Sequence, residues 1–202
     1  MHLVNKITLS RFFFAIIFYF LFEPKNIFFN YLAFACFVLA AISDFYDGRM
    51  ARQYNIVTKF GQMVDPLADK LLLLCALLAF MQREIIPGWM VIIILGREFL
   101  VMGIRILSSA KGDVIPARES GKYKTVNQLE MIIISLCLIL FHDTFNHFFI
   151  PLEQILNHNT FLDKLTLWIF NSGPYYLMFS TVVITVLSGI EYYNNNKELI
   201  NE

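Results

Sequence analysis

The chain has 202 residues, 57% of them hydrophobic, with a mean hydropathy of +0.60 and a formal net charge of zero. That apolar excess excludes an ordinary soluble domain and predicts an all-α, polytopic membrane protein: one membrane domain over residues 1–202. The balanced charge gives no reason to expect a nucleic-acid partner.

A membrane-spanning helix needs roughly 20 apolar residues. In chain order the candidates are Ile7–Phe22, Tyr31–Arg52, Gly61–Met81, Gly88–Ser109, Val126–Phe141 and Tyr175–Tyr193, a six-helix bundle. The first runs on as a long segment with no small-residue cleavage site after it, so it is expected to be a retained span rather than a signal peptide. The stretch before the sixth, FFIPLEQILNHNTFLDKLTLWIF, mixes apolar and polar residues. It is expected to lie along the membrane surface as an amphipathic helix, the other option being an irregular loop. Cys36, Cys75 and Cys137 sit in apolar runs without metal-ligand spacing and read as small core residues.

The Lys/Arg bias of the short loops sets the orientation. One set of helix ends holds Lys6, Arg11, Arg49, Arg52, Lys59, Lys111, Arg118, Lys122, Lys124 and Lys197, whereas the other holds Lys25, Arg83 and Lys164. Both termini are therefore expected in the cytoplasm.

Four aspartates, Asp44, Asp47, Asp65 and Asp69, then fall at the cytoplasmic ends of the second and third helices. Each residue turns a helix by about 100°. Asp44 and Asp47 (i, i+3) share a face with Gly48, Ala51 and Arg52. Asp65 and Asp69 (i, i+4) lie one and two turns beyond Gly61. Clustered carboxylates in a poorly hydrated site need countercharge. Hard divalent cations prefer oxygen ligands, and four aspartates suit a two-metal site that clamps a phosphoryl-type displacement. The plainer reading pairs them with Arg49, Arg52, Lys59 and Lys70, but intramembrane acids are expensive and commonly mark function. Gly48, Ala51 and Gly61 fit close helix packing as well as the approach of a flat base or a diphosphate.

The pattern Asp44-x2-Asp47-Gly48-x2-Ala51-Arg52-x8-Gly61-x3-Asp65-x3-Asp69 resembles the signature of the CDP-alcohol phosphotransferase family at all eight fixed positions. The resemblance implies integral membrane enzymes with six transmembrane helices, usually homodimers. They need Mg2+ or Mn2+ and replace CMP on a CDP-linked lipid or alcohol with an acceptor hydroxyl. It implies that Asp44, Asp47, Asp65 and Asp69 hold the metals and that Asp69 is also general base. It further implies that Gly48, Ala51, Arg52 and Gly61 contact the CDP moiety, with Arg52 open to the alternative of snorkelling to headgroups.

NKITLSR at the start, and GREFLVMGIRILSSAKGDVIPARESGKYKTVNQ from Gly96 to Gln128, resemble the family's bacterial members that take sn-glycerol 3-phosphate as acceptor. That implies CDP-diacylglycerol as donor, and an inner-membrane enzyme whose active site faces the cytoplasm. Asn5 and Thr8 would touch the diphosphate or a metal-bound group, Asn5 reading nearly as well as a helix N-cap. A dianionic acceptor needs a cationic pocket, for which Arg97, Arg105, Lys122 and Lys124 are the candidates. Arg97 lies far inside an apolar helix, where an unpaired Arg is costly; its alternative is an internal salt bridge with Glu98 or another acid. Lys122 alone reads also as an ordinary positive-inside residue. From Asn146 to Asn171 the chain is longer than the family leads one to expect, and beyond Gln128 it reads as apolar filler.

Three functions compete. The first is phosphatidyl transfer to glycerol 3-phosphate. The second is the same chemistry on inositol phosphate, phosphatidylglycerol or serine, the last disfavoured by the basic residues. The third is divalent-cation transport, disfavoured because the acids gather toward one face beside arginines.

Overall fold

The computed structural model describes the backbone over residues 3–54, 59–110, 119–148 and 161–200, and side chains over 10–43, 70–104, 108, 126–148 and 161–195. The described backbone holds six helices and no strand: α1 Leu3–Phe22, α2 Ile27–Tyr54, α3 Lys59–Gln82, α4 Gly88–Ala110, α5 Glu119–Phe148 and α6 Phe161–Ile200. Each expected span lies on one of them. Among the described residues, two stretches are long and apolar enough to cross a membrane, Val126–Phe148 and Phe161–Asn195. Shorter apolar stretches occupy Ser10–Phe22, Ile27–Ser43 and Lys70–Gln82.

The turns are fixed by local chemistry. Between α1 and α2, the Asn26 side-chain oxygen accepts from the Phe28 backbone N–H at 3.0 Å, which caps α2. At the end of α3, Glu84 takes a left-handed φ of 61°. The Ile85 N–H reaches back to the Phe80 carbonyl at 2.9 Å and the Glu84 N–H to Met81 at 3.0 Å. Those paired bonds form a Schellman motif that satisfies carbonyls at the α3 terminus. Pro87 then stands just before α4.

α1 packs along both α2 and α3, whereas α2 and α3 meet over a much shorter stretch among the described residues. The core between them is built from Ala15, Phe18 and Phe22 of α1, Ala33, Phe37 and Ala40 of α2, and Ala76, Ala79 and Phe80 of α3. Alanines at helical spacing let the backbones approach, and phenylalanines fill what remains. The Phe18 ring lies 5.2 Å from Phe37 and the Phe22 ring 6.0 Å from Phe80. Cys75 is buried in this core, in keeping with its reading as a small core residue, while Cys137 is exposed.

α6 packs against both α4 and α5. Ring contacts and hydrogen bonds give the directions. Phe141 stacks on Phe170 at 5.1 Å and Gln128 bonds Thr185 at 3.2 Å, so α5 and α6 run antiparallel. Trp89 meets Phe179 at 6.4 Å and Arg97 meets Ser188 at 2.8 Å, so α4 and α6 run parallel.

One expectation is revised. Phe161–Phe170 is helical, but it forms the first turns of α6 rather than a surface helix of its own. The 40 residues of α6 span about 60 Å, roughly twice a bilayer's hydrocarbon thickness. The Phe141–Phe170 stack ties these early turns to α5, and the helix continues through Pro174, which removes a single backbone donor. The remainder of that segment, residues 149–160, lies outside the described residues.

Candidate functional site

The turns and the helix directions gather every candidate residue toward one end of the bundle. Asp44, Asp47, Gly48, Ala51 and Arg52 all lie on the last turns of α2, and Gly61, Asp65 and Asp69 on the first half of α3. Both aspartate pairs therefore have the helical spacing expected of them, with residues 55–58 between the two helices. Asn5 and Thr8 are on the first turns of α1. Because the four-residue turn between α1 and α2 sets them antiparallel and the Phe18–Phe37 contact sets their register, they fall level with the acids of α2. Arg105 is in the second half of α4, and Lys122 and Lys124 are in the first turns of α5. The side chains of all these residues lie outside the described set.

Described side chains of three helices, α3, α4 and α6, meet at this end. Lys70, the residue after Asp69, forms an ion pair with Glu98 of α4, joining α3 to α4. Glu98 is 9% exposed and Lys70 24%. Arg97, 13% exposed, places Nη1 at 3.6 Å from Glu98 Oε1 and donates from Nη2 to Ser188 Oγ of α6 at 2.8 Å. The internal salt bridge weighed for Arg97 is thus present. It is shared with Lys70, so the three groups Lys70, Glu98 and Arg97 carry one surplus positive charge. An arginine at mid-helix in a bilayer costs about 2.5–3.5 kcal/mol on insertion scales, and these partners offset that cost.

α5 enters the same region. The Gln128–Thr185 hydrogen bond fixes its register against α6. One turn toward the acid end from that bond stand Lys124 on α5 and Ser188–Gly189 on α6, so Lys124 sits across α6 from the helix that carries Arg97. On α1, Arg11 is 1% exposed, one turn beyond Thr8. It reads as an interior charge facing the bundle rather than an interfacial positive residue.

Sequence reasoning named Glu98 as a partner for Arg97 but missed its bridge to Lys70, and it missed Ser188 and Gly189 altogether by treating the chain beyond Gln128 as filler. The available signal was the Ser-Gly pair followed by Glu191 near the end of an otherwise apolar helix. Among the described side chains, no three His, Cys, Asp or Glu residues gather into a metal-binding group.

The opposite end has its own polar cluster. Arg83, just past α3, donates from Nη2 to Asn30 Oδ1 at 2.9 Å and lies 3.7 Å from Asp143 Oδ2. Asn30 donates to the same Asp143 oxygen at 2.7 Å, and the guanidinium lies 4.1 Å from the centre of the Phe22 ring. Burial lowers the Arg83 pKa from its usual value, and Asp143 opposes that shift. A cleft of about 570 Å³ beside this cluster is lined by Lys25, Glu84, His142 and His147 among others. Its cations and acids are nearly matched, and it lies by the start of α2, about 25–30 Å along the helix from Asp44 and Asp47.

Comparison with known proteins identifies the family. The sequence pattern of the CDP-alcohol phosphatidyltransferase family matches residues 1–186. The chain belongs to this family. It is 38% identical over 164 residues to the CDP-diacylglycerol–glycerol-3-phosphate 3-phosphatidyltransferase of Bacillus subtilis, covering 81% of this chain and 72% of the relative. It is 36% identical to the Rickettsia typhi protein of the same name, over 68% of this chain and 76% of that one. A Mycobacterium tuberculosis relative named "Probable phosphatidylglycerophosphate synthase" is 32% identical over 80% of this chain and 64% of its own. The apolar helices and the family together make the chain a membrane protein.

Proposed function

We propose that this CDP-alcohol phosphatidyltransferase is a phosphatidylglycerophosphate synthase, an enzyme of phospholipid biosynthesis. It transfers the phosphatidyl group of CDP-diacylglycerol to sn-glycerol 3-phosphate and releases CMP. The observation that carries this reading is the extended match to relatives bearing that name, together with basic residues at the acid end suited to a phosphorylated acceptor.

The donor set fits a divalent metal: four carboxylates on two adjoining helix ends offer the hard oxygen ligands that Mg2+ or Mn2+ prefers. Asp44, Asp47, Asp65 and Asp69 would hold it. When bound, such metals neutralise the diphosphate charge and make the acceptor hydroxyl more acidic. Gly48, Ala51 and Gly61 leave room for the CDP moiety, and Arg52, Asn5 and Thr8 orient its phosphates. Arg97, Arg105, Lys122 and Lys124 hold the acceptor phosphate. Asp69 takes the proton of the acceptor hydroxyl as its oxygen attacks the phosphorus bearing diacylglycerol. The bond from that phosphorus to the CMP oxygen breaks in the same displacement. With no nucleophilic Ser or Cys paired to a base among these residues, one in-line step accounts for the chemistry better than a covalent intermediate.

The excess of Lys and Arg at the acid end supports a multi-pass bacterial inner-membrane protein with both termini and the active site in the cytoplasm. One membrane domain over 1–202 suffices for this activity. A homodimer is supported by a stripe on α4, where Trp89, Ile92, Phe99 and Leu100 are exposed and Gly96 and Gly103 have open space where a side chain would sit. The reading is tested by incubating the purified protein in mixed micelles with CDP-diacylglycerol, Mg2+ and glycerol 3-phosphate, then identifying the lipid product by mass spectrometry. Phosphatidylglycerophosphate is expected; CMP formed without that lipid refutes the assignment.

A further inference from the structure

We propose that Ser188 and Gly189 of α6 are positioning residues for Arg97. They form a seat that holds its guanidinium toward the acid end and thereby set the affinity for the acceptor's phosphate. This rests on the reading of Arg97 as an acceptor-binding cation.

Three observations carry it. First, Ser188 Oγ accepts from Arg97 Nη2 at 2.8 Å, a bond that joins two helices 91 residues apart in sequence. Second, a Cβ built on Gly189 would stand 3.1 Å from Arg97 Cγ and 3.8 Å from its Nε. The close atom belongs to the stem of Arg97, which would have to give by a few tenths of an ångström to admit a side chain here. Glycine thus permits the close approach of Arg97 here, in the middle of a helix where it otherwise costs stability relative to alanine. Third, Glu98 Oε1 faces the guanidinium at 3.6 Å, so Arg97 is held between a carboxylate on its own helix and a hydroxyl on α6.

The chemistry of the seat matters as much as its shape. A guanidinium presents five donors in a rigid plane. Fixing its stem against Gly189 and one nitrogen against Ser188 fixes the direction of the whole fork. Ser188 does this with a neutral acceptor, whereas a carboxylate at the same place would cancel the charge that a phosphate needs. Glu98 is already shared with Lys70. The seat also lies between α4 and the register position of Lys124 on α5, which the Gln128–Thr185 bond sets. α6, which bears none of the family's signature residues, thus determines how Arg97 is presented.

The test is a set of steady-state kinetics on Gly189→Ala and Ser188→Ala, each made alone and in an Arg97→Ala background, with thermal unfolding in detergent as a control. Each single variant is expected to raise the KM for glycerol 3-phosphate about tenfold, the scale of one hydrogen bond to a charged group. The kcat should change less than about twofold and the KM for CDP-diacylglycerol should stay as it was. In the Arg97→Ala background neither variant should shift the acceptor KM further, because its point of action is gone. Equal effects in both backgrounds, or a loss of kcat at constant acceptor KM, would assign the pair to general helix packing and overturn the proposal. An acceptor KM that rises in Arg97→Ala but in neither α6 variant overturns the seat alone. An acceptor KM unmoved by Arg97→Ala overturns the acceptor reading of Arg97 itself. Ser188→Ala removes a single oxygen, which keeps the test informative even where Gly189→Ala folds poorly.

Discussion

Lys70 and Glu98 form an ion pair across α3 and α4, and each is the immediate neighbour of a candidate site residue, Asp69 on one side and Arg97 on the other. The pair couples the helix that carries two of the acids to the helix that carries Arg97 and Arg105, the proposed acceptor cations of α4. Breaking it should therefore disturb both. Glu98→Gln is expected to destabilise the protein by about 1.5–3 kcal/mol, Lys70 being partly exposed and the full cost of a buried pair not applying. It should also lower kcat/KM for glycerol 3-phosphate. Kinetics and thermal unfolding of Glu98→Gln, Lys70→Met and the double variant check this. Additive effects would show the two residues act independently.

Asp65→Asn should abolish turnover, because a neutral amide is a poor ligand for a hard dication. Exhaustive chelation of the wild-type protein should do the same, with activity restored by Mg2+ or Mn2+. Isothermal titration with Mn2+ gives a readout independent of turnover: the variant should bind more weakly than wild type, and unchanged binding would remove Asp65 from the ligand set.

At the opposite end the expected effect is on stability alone. Asp143→Ala leaves Asn30 and the buried Arg83 without their shared acceptor, which costs about 1–3 kcal/mol. The melting temperature in detergent should fall while the KM values for both substrates hold. A changed acceptor KM would show that the polar cluster around Arg83 communicates with the acid end.

The α4 stripe gives a prediction about association. With Cys36, Cys75 and Cys137 replaced by serine, a cysteine introduced at Gly96 or Gly103 should cross-link two copies in membranes under mild oxidation. Cross-linking from a cysteine at an exposed α6 position such as Val183 instead would move the interface to another helix.

The sequence revealed the helices, the aspartate pattern and the family, because helical period and fixed spacing are local properties. α3 starts and α2 ends as the charge pattern indicates, and Asp44/Asp47 and Asp65/Asp69 do lie on helices at i, i+3 and i, i+4. What the sequence could not show was which residues meet across helices. Ser188 and Glu98 are polar residues in apolar runs, and only the parallel packing of α6 on α4 and the antiparallel turn from α3 to α4 bring them to Arg97 and Lys70. Arg11 was assigned to the interface by the positive-inside count, whereas burial places it in the bundle. The extent of α6 was hidden because its mixed polar and apolar first turns read as a surface segment separate from Tyr175–Tyr193, whereas the helix runs on through Pro174 with Phe170 packed on Phe141.

The central claim is the identity of the acceptor, and an acceptor panel tests it most directly. Purified protein is supplied with CDP-diacylglycerol and Mg2+, and CMP release is followed separately with glycerol 3-phosphate, inositol phosphate, phosphatidylglycerol and serine. The account predicts rapid release with glycerol 3-phosphate and little above background with the others. Background release with glycerol 3-phosphate alongside rapid release with another acceptor would contradict it, leaving the family and its chemistry in place but the acceptor wrongly assigned.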